Sequence, residues 1–533
     1  MSLVDSLLLD PYPFDIWIAC RTGSPGGSGT LNDPYDGSTQ AKFDSVMSTK
    51  VGPNTRVHLG PGTFQTRGYS DEVSSGWQIQ AGVKISGSGM DVTTLQLVDA
   101  QTGGTAARLF AIGHALTTGA PAQPNLVDFA EVCDMTVDCN LASQSGSQVA
   151  CGAVRLMGNH VKVSRVKATN WGTKTNSKPC FVIAVLTGDA TAGLVEVCDA
   201  GIEGCIAVLP AASAANAPVT VLRAGPMDDA GVEIEGFGKG PFIRNCFVDC
   251  GSPIATPEYR GLSMGWCKGG VVEGNQVHNT KYGGPYQETA TTRDIVVRGN
   301  VFRNVAKGPF WNLGTKSGAS KSLTGLSFAG SGPYEATATT GSNHNLSVGD
   351  RVQLLCTPSA LNGTFVVTSV VSQTQFKYIT PGPTGSLSSG TAEKVYGVGK
   401  LVVEGNVVEL ATGSDGLIGI HVDDNGLSPQ ATDYAHGDVV IRQNKIRYLD
   451  GWLDPAWSGE GIRVAGAKNE IVSENIVDCA PANPIKDFRC GTVTYFHNDT
   501  PAGALIQGYD GVANSKYSEL ETEAEDALLL TVI

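Results

Sequence analysis

The sequence predicts an all-β fold: a right-handed parallel β-helix solenoid with a small inserted antiparallel β-barrel-like domain. Three observations lead to this prediction. A pattern of two apolar runs that meet at an Asn recurs along the chain, and its copies follow one another at a near-constant spacing. Glycine is abundant, with 67 of 533 residues, whereas charged residues make up only 17%. A repeat of this kind, rich in turn residues, is typical of a solenoid of stacked strands.

The repeat is clearest at residues 270–279, which read GVVEGNQVHN. Further copies lie at residues 242–249, 295–302, 401–408, 439–446 and 470–477. The marker Asn residues are separated by 30 residues from Asn245 to Asn275, 25 to Asn300, 38 from Asn406 to Asn444, and 31 to Asn475. Because no helical period separates the two runs, each copy is predicted to be two short strands joined by a bend.

The residue at the bend is expected to adopt the left-handed backbone conformation, which Asn tolerates better than most residues. Stacked Asn side chains are expected to hydrogen-bond from coil to coil, which satisfies amides that would otherwise be buried without partners. A β-sandwich is the alternative fold. It fits less well, because hairpins favour Asn-Gly turns and strands that alternate with one polar face.

In chain order, five regions are predicted. Residues 1–70 form an N-terminal cap and the entry to the solenoid, with a strand at 14–19 and a hydroxyl-capped amphipathic helix at 38–47. Residues 71–322 form the parallel β-helix, which continues at 397–510, and residues 511–533 form a C-terminal tail or cap. The insert at 323–396 lies in the 106 residues between Asn300 and Asn406, and its runs alternate apolar and polar as in a small antiparallel barrel.

The net charge of −14 argues against nucleic acid as a partner, because phosphate binding needs a basic surface. Neutral glycans are compatible with this charge. An acidic polysaccharide would need a local basic strip or Ca²⁺, so the sequence predicts no obligatory cofactor and leaves Ca²⁺ open. No run of apolar residues is long enough to predict a membrane span.

Residues 1–10 have no basic region and only a short apolar run, so no signal peptide is predicted. Thirteen cysteines, an odd number without paired metal-type spacing, indicate a reducing origin and small apolar packing groups. The localisation is left open: either the protein stays inside the cell, or it reaches a virion or the cell surface by a route that needs no cleaved signal.

Residues 23–64 combine a Gly-rich loop, Asp-Pro-Tyr at 33–35, the short helix, and Leu-Gly-Pro-Gly-Thr-Phe at 59–64. This order resembles the start of many pectate-lyase-like β-helix proteins, which include polysaccharide lyases, glycoside hydrolases and phage tailspikes. The insert resembles a small β-domain found in phage tail and bacterial surface proteins. The resemblance implies engagement of a polysaccharide or glycan and, through the tailspikes, leaves a homotrimer open.

In each coil the strand that precedes the bend unit is expected to point alternate residues outward, so that outward residues of successive coils form a line about 4.8 Å apart. Such leading strands are predicted at 232–235, 262–264, 286–288, 310–312, 418–423, 462–464 and 492–495. If the apolar residues point inward, one face carries Glu233, Glu235, Glu288, Trp311, His421, Asp423, Asp424 and Arg463. An aromatic ring among carboxylates is typical of a sugar-binding groove.

A glycoside hydrolase would use two of Glu235, Glu288, Asp423 and Asp424 as acid and base or nucleophile, with His421 or His436 assisting proton transfer. Trp311, Glu233 and Arg463 would then bind the substrate.

The resemblance implies further motifs, of which only part is present. Hydrolases of this fold carry Asn-Thr-Asp, Asp-Asp, Gly-His-Gly and Arg-Ile-Lys, whereas this chain has Asp423-Asp424 and an AHGD at 435–438. A pectate lyase would show clustered Ca²⁺ carboxylates and an Arg or Lys base, and Arg260, Arg293 and Arg463 lie in no matching motif. An Asp-Asp pair in a Gly-rich loop is also common in a solvated turn.

Two functions therefore remain open from sequence. The first is a glycan-engaging protein that cleaves its ligand as a lyase or hydrolase. The second is a non-catalytic structural or adhesive protein, such as a tailspike-like or surface-appendage component.

Overall fold

A computed structural model describes residues 14–20, 26–70, 76–99, 106–114, 126–145, 148–174, 180–186, 199–208, 210, 219–224, 238–251, 258–265, 267–287, 294–312, 320–381, 385–395, 399–411, 417–423, 436–449, 460–478, 485–488, 490, 492–500 and 507–508. These residues divide into two compact units. Unit 1 lies within Met1–Met227, Glu235–Tyr286 and Gly299–Ala306. Unit 2 lies within Asp228–Ile234, Gln287–Arg298 and Lys307–Ile533.

The first sheet of unit 1 is built from short strands that pair in parallel with the strand one coil further on. Its strands are β1 Phe14–Ala19, β2 Tyr35–Asp36, β3 Thr55–Leu59, β4 Gly62–Thr66, β6 Lys84–Ser86, β7 Thr93–Leu97, β9 Glu131–Asp138, β11 Lys162–Thr169, β14 Gly201–Glu203, β15 Ile206–Ala207, β18 Phe242–Arg244, β19 Phe247–Asp249, β22 Val271–Glu273, β23 Gln276–His278 and β26 Val301–Val305. Inward residues such as Val163, Ile202 and Val272 are fully buried in the coil interior.

The second sheet of unit 1 closes the other side of the coils. Its strands are β5 Tyr69–Ser70, β8 Ala106–Ile112, β10 Gln148–Met157, β12 Gly172–Thr173, β13 Cys180–Leu186, β16 Val219–Ala224, β20 Tyr259–Met264 and β24 Tyr286–Gln287, and a separate pair joins β17 Gly238–Lys239 to β21 Cys267–Lys268.

The predicted helix is present as α1 Gln40–Thr49. The Thr39 side chain caps it by accepting from the Lys42 amide at 3.4 Å, and Phe43 and Met47 form its buried face.

Unit 2 repeats the same plan with three strands per coil. Its first sheet contains β25 Ile295–Arg298, β34 Leu401–Glu404, β35 Val407–Leu410, β37 His436–Arg442, β38 Lys445–Tyr448, β40 Ala467–Ser473, β41 Ile476–Val477 and β43 Thr492–Phe496. Its second sheet contains β27 Phe310–Asn312, β36 Ile418–Asp423, β39 Glu460–Ala465, β42 Ile485–Phe488 and β44 Gln507–Gly508. From β36 to β40 each strand pairs in parallel with the third strand after it, as β36 with β39 and β37 with β40. This pairing defines a β-helix.

The insert is a closed antiparallel barrel. Its strands are β28 Lys321–Ala329, β29 Tyr334–Thr340, β30 Arg351–Thr357, β31 Gly363–Ser372, β32 Gln375–Thr380 and β33 Ser389–Val395. Val352, Leu354, Phe365 and Phe376 belong to a core of its own. The predicted architecture, a right-handed parallel β-helix with an inserted antiparallel barrel, is confirmed.

The prediction for the bend was wrong in one respect. The left-handed residue is the one before the marker Asn, as at Gly274 with φ 65° and Gly405 with φ 62°. The first copy was also misaligned by one position, because Phe242 pairs with Val271, which puts Asn245 opposite Gly274. The reason is the position of the Asn: its side chain turns inward and is buried, so the residue before it takes the bend. That residue is Gly in some copies and a larger one in others, as at Gln443 with φ 56° and Glu474 with φ 55°.

The stacked Asn side chains form the predicted ladder. In unit 2, Nδ2 of Asn406 donates to Oδ1 of Asn444 at 2.9 Å, Asn444 to Asn475 at 3.0 Å, and Asn475 to Asn498 at 3.0 Å. In unit 1, Asn275 donates to Asn300 in the same way at 2.9 Å. These contacts satisfy amides inside the coil, where water cannot reach them.

Two further predictions concern packing. The predicted leading strand at 492–495 is wrong, because β43 pairs with β40 in the first sheet of unit 2. The eleven described cysteines are all free and all but Cys20 are buried, in agreement with their prediction as apolar packing groups. No helix in the described ranges has the length and apolar character needed to cross a bilayer.

Candidate functional site

The strand β36 places two of the predicted site residues on the outer face of the second sheet of unit 2. Ile420 and Val422 are fully buried in the coil interior, so the residues that alternate with them, His421 and Asp423, point to the other side. In the next strand, Ile462 and Val464 are buried in the same way, and Arg463 lies beside His421 in register. Parallel register one coil apart therefore brings residues distant in sequence into contact.

Asp423 lies between two basic side chains. Its Oδ2 is 2.9 Å from Nε2 of His421 and 3.0 Å from Nη2 of Arg463. The carboxylate side chain is 13% exposed, whereas that of Arg463 is 27% exposed. The group therefore sits at the sheet surface with part of the guanidinium open to solvent.

A second carboxylate continues the network along the sheet. Nη1 of Arg463 donates to Oε2 of Glu460 at 3.3 Å, and Nζ of Lys486 donates to Oε1 of the same residue at 3.0 Å. Lys486 lies in register with Arg463 on β42. His421, Asp423, Glu460, Arg463 and Lys486 are called the Asp423 cluster below.

His436, the first residue of β37, contacts the backbone beneath the cluster. It is completely buried, and its Nε2 lies 3.2 Å from the backbone oxygen of Asp423. Its own amide donates to the Gly466 carbonyl at 2.8 Å. The end of β36 is therefore fixed by a side chain of β37.

Burial sets the protonation state of both histidines. The pKa of His421 is lowered mainly by burial and further by the charges of Arg463 and Lys307, although Asp423 opposes this shift. Burial also lowers the pKa of His436 to about 4. Both imidazoles are consequently neutral near pH 7, where a neutral ring can accept a proton.

The structure brings together His421, Asp423 and Arg463 from the predicted face. Of the other candidates, Glu233, Glu235, Glu288 and Asp424 lie outside the described residues, and Trp311 is described only through its backbone. The Trp311 position is nevertheless next to the cluster, since its Cα pairs with that of Val422. The roles assigned to these residues stay predictions.

Sequence reasoning missed Glu460 and Lys486. Glu460 begins β39 two residues before the predicted leading strand, and β42 was not predicted as a strand at all. No local signal points to Glu460, because strict alternation with the inward Ile462 and Val464 would place it on the inward side. None points to Lys486 either, because it reaches the cluster through register alone.

In the part of the chain that the structure describes, no group of three or more His, Cys, Asp or Glu side chains is placed to hold a metal ion. The carboxylates of the Asp423 cluster are instead paired with cationic side chains.

No protein-family model and no curated protein matches the chain. Among solved structures it is similar to the A-module of mannuronan C-5 epimerase AlgE4 from Azotobacter vinelandii, with 11% identity over 94% of this chain and 100% of that chain and a TM-score of 0.41. It is similar to a family 28 exopolygalacturonase from Yersinia enterocolitica, with 10% identity, 95% and 78% coverage and a TM-score of 0.41. It is also similar to DFA-IIIase from Arthrobacter chlorophenolicus A6, with 11% identity, 95% and 99% coverage and a TM-score of 0.40.

The chain has a parallel β-helix fold. That statement depends on the coil-to-coil parallel pairing and the Asn ladder described above. At identities of 10–11% and TM-scores of 0.40–0.41, the similar structures assign neither a family to the chain nor an activity to the Asp423 cluster.

Proposed function

We propose that the outer face of the second sheet of unit 2 binds a glycan at the Asp423 cluster, and that His421, oriented by Asp423, acts as the general base in its cleavage. One observation carries the proposal: the Asp423 carboxylate contacts a neutral imidazole at 2.9 Å and a guanidinium at 3.0 Å at the sheet surface. Paired titratable groups in contrasting environments are typical of acid–base chemistry.

The charges in the cluster suit this chemistry. Arg463 contacts the same oxygen of Asp423 that contacts His421, so the carboxylate is fixed between the two side chains. Burial keeps His421 neutral, and Asp423 orients its ring. Arg463 and Lys486 supply positive charge beside Glu460, the second carboxylate that a hydrolase would need. The same two cations would stabilise negative charge that develops in a lyase reaction.

The cluster places cations beside carboxylates on an acidic protein. Arg463 and Lys486 are neighbours in register, and both pair with Asp423 or Glu460, so the charges of these four groups sum to zero. A site without excess charge suits neutral glycans and does not by itself repel acidic ones. For this reason the assay includes mannuronan and polygalacturonate, polymers that correspond to the names of two similar structures, beside neutral polysaccharides.

A non-catalytic, adhesive function is the second candidate. It is favoured by the extent of ion pairing, because Asp423 and Glu460 each contact two basic side chains. A network of this kind can also serve only to join neighbouring strands.

The test compares wild type with Asp423→Asn and His421→Asn in binding and cleavage of this panel. We expect each variant to lose at least about 100-fold in cleavage rate while binding is largely retained. Release of reducing ends without an unsaturated product identifies a hydrolase, whereas ultraviolet absorbance of an unsaturated product identifies a lyase. The matched control is Glu404→Gln, which removes a carboxylate paired with Arg442 at 2.7 Å in the first sheet of unit 2.

Three results discriminate the candidates. Cleavage lost in both variants but kept in Glu404→Gln supports the acid–base role. Binding by wild type without any cleavage supports the adhesive function instead. If wild type neither binds nor cleaves any polymer of the panel, the proposed function is wrong.

A further inference from the structure

We propose that the inserted barrel forms one wall of the glycan site and that Arg351, at the end of the barrel that meets the coils of unit 2, binds the sugar next to the one at Asp423. The inference depends on the proposed function and assigns a role to an element that the cluster itself does not include. Arg351 would then be a specificity-determining residue.

The point of insertion supports this placement. The chain enters the barrel after β27, and the last residue of that strand, Asn312, has its Cα in register with that of Asp423. The first barrel strand begins at Lys321. The barrel thus replaces a turn that follows the strand beside the Asp423 cluster, and turns of this type flank the outer face on which the cluster lies.

The return of the chain leads to the same location. Arg351 begins β30 and pairs with Val395, the last residue of β33. The chain then reaches Gly399, whose carbonyl oxygen lies so close to Gly437 that a Cβ added there would be 2.4 Å away. Gly437 follows His436, whose Nε2 is 3.2 Å from the Asp423 backbone oxygen. The last barrel strand therefore ends four residues before Gly399, and Gly399 lies against the segment that begins with His436.

Electrostatics agree with this geometry. The charge of Arg351 contributes, after burial, to the lowered pKa of His436, whereas the neighbouring Asp423 opposes it. The segment before Arg351 is held in place, because Oδ2 of Asp350 accepts from the Ser347 amide at 2.7 Å and contacts Nζ of Lys394 at 2.9 Å. A guanidinium on a fixed edge is well suited to binding hydroxyl or carboxylate oxygens of a sugar.

Two exposed valines lie near Arg351 on the barrel. Val366, the register partner of Arg351, is 39% exposed, and Val348 is 66% exposed. The Gly349 amide donates to the Val367 carbonyl at 2.8 Å, which holds the segment of Val348 against β31, the strand of Val366. An apolar strip around one cation offers a sugar ring both a face to contact and an oxygen partner.

The test is Arg351→Ala against the matched barrel variant Lys377→Ala, which removes a cation paired with Glu335 at 2.7 Å. The probes are short and long oligomers of polygalacturonate and of mannuronan, measured by calorimetry. We expect Arg351→Ala to raise the Kd of the long oligomers about tenfold and to leave the shortest unchanged, because only long oligomers reach the barrel. We also expect the pKa of His436, measured by NMR, to rise in Arg351→Ala and not in Lys377→Ala.

The outcomes separate this inference from the function it depends on. If wild type binds an oligomer and the Kd values of Arg351→Ala and Lys377→Ala are equal, the barrel does not contact the glycan. The proposed site at Asp423 is not affected by that result. An unchanged His436 pKa in Arg351→Ala refutes the contact between barrel and site, whatever the glycan result. If wild type binds neither polymer, the proposed function and this inference both fail.

Discussion

Burial and three neighbouring charges set the protonation state of His421. Burial, Arg463 and Lys307 lower its pKa, and Asp423 raises it. Asp423→Asn removes the raising contribution, so we predict that the pKa of His421 falls further below its wild-type value. NMR titration of the imidazole measures this. Glu404→Gln, in the first sheet of unit 2, should leave it unchanged, and a rise in Asp423→Asn would contradict the assigned geometry.

The left-handed turn positions make a second prediction at single residues. Gly405 has φ 62° and open space around an added Cβ, so Gly405→Ala should lower the free energy of unfolding by about 1 kcal/mol, from backbone strain alone. Gly274→Ala should cost more, since its Cβ would be 2.6 Å from Oδ1 of Asn245. Urea denaturation measures both.

A third variant tests whether backbone strain at positive φ causes the loss of stability. Gly405→Asn should cost less than Gly405→Ala, because Asn tolerates positive φ and Asn245 already occupies such a position with φ 53°. An equal loss of unfolding free energy in Gly405→Ala and Gly405→Asn would mean that the tolerance of positive φ at this position does not determine stability.

At the level of the coil, the Asn ladder is the element that joins successive turns. Asn444 accepts from the Asn406 amide and side chain and donates to the Val403 carbonyl and to Asn475. Asn444→Ala leaves several of these buried groups without partners, so we predict a loss of about 3 kcal/mol in unfolding free energy. Thermal and urea denaturation measure it.

The matched control is Asn469→Ala in the neighbouring strand β40. Asn469 is exposed and donates to Oδ1 of Asp438 at 2.7 Å. Its loss should change the unfolding free energy by no more than about 0.5 kcal/mol. A similar loss of unfolding free energy in the two variants would show that the Asn ladder contributes no more to stability than an exposed hydrogen bond.

The repeat elements were predictable from sequence, but their register was not. Two apolar runs and a Gly-Asn pair identify the bend locally, although not which of the two residues takes positive φ. Contacts between coils depend on coil length, which varies: His421 pairs with Arg463 42 residues later, and Arg463 with Lys486 only 23 residues later. A marker spacing of 25–38 residues therefore predicts a β-helix without predicting that Lys486 meets Glu460.

At the scale of the whole molecule, buried histidines make the folded state sensitive to acid. Burial lowers the pKa of His114 and of His436 to about 4 each, and it lowers that of His421 as well. In the unfolded chain a histidine titrates near 6.5. Between about pH 6.5 and 4 the unfolded chain thus binds protons that the folded protein does not, so its stability must fall as the pH falls.

We predict a decrease in unfolding free energy of about 3 kcal/mol for each of His114 and His436 between pH 6.5 and pH 4. Urea denaturation at a series of pH values measures this slope. His436→Asn removes one titrating group, so that variant should start less stable at pH 7 because it loses the contact to the Asp423 carbonyl, yet lose less stability on acidification than wild type. Parallel pH profiles for the two proteins would mean that His436 titrates at the same pH in the folded and the unfolded chain, which would contradict the effect of its burial.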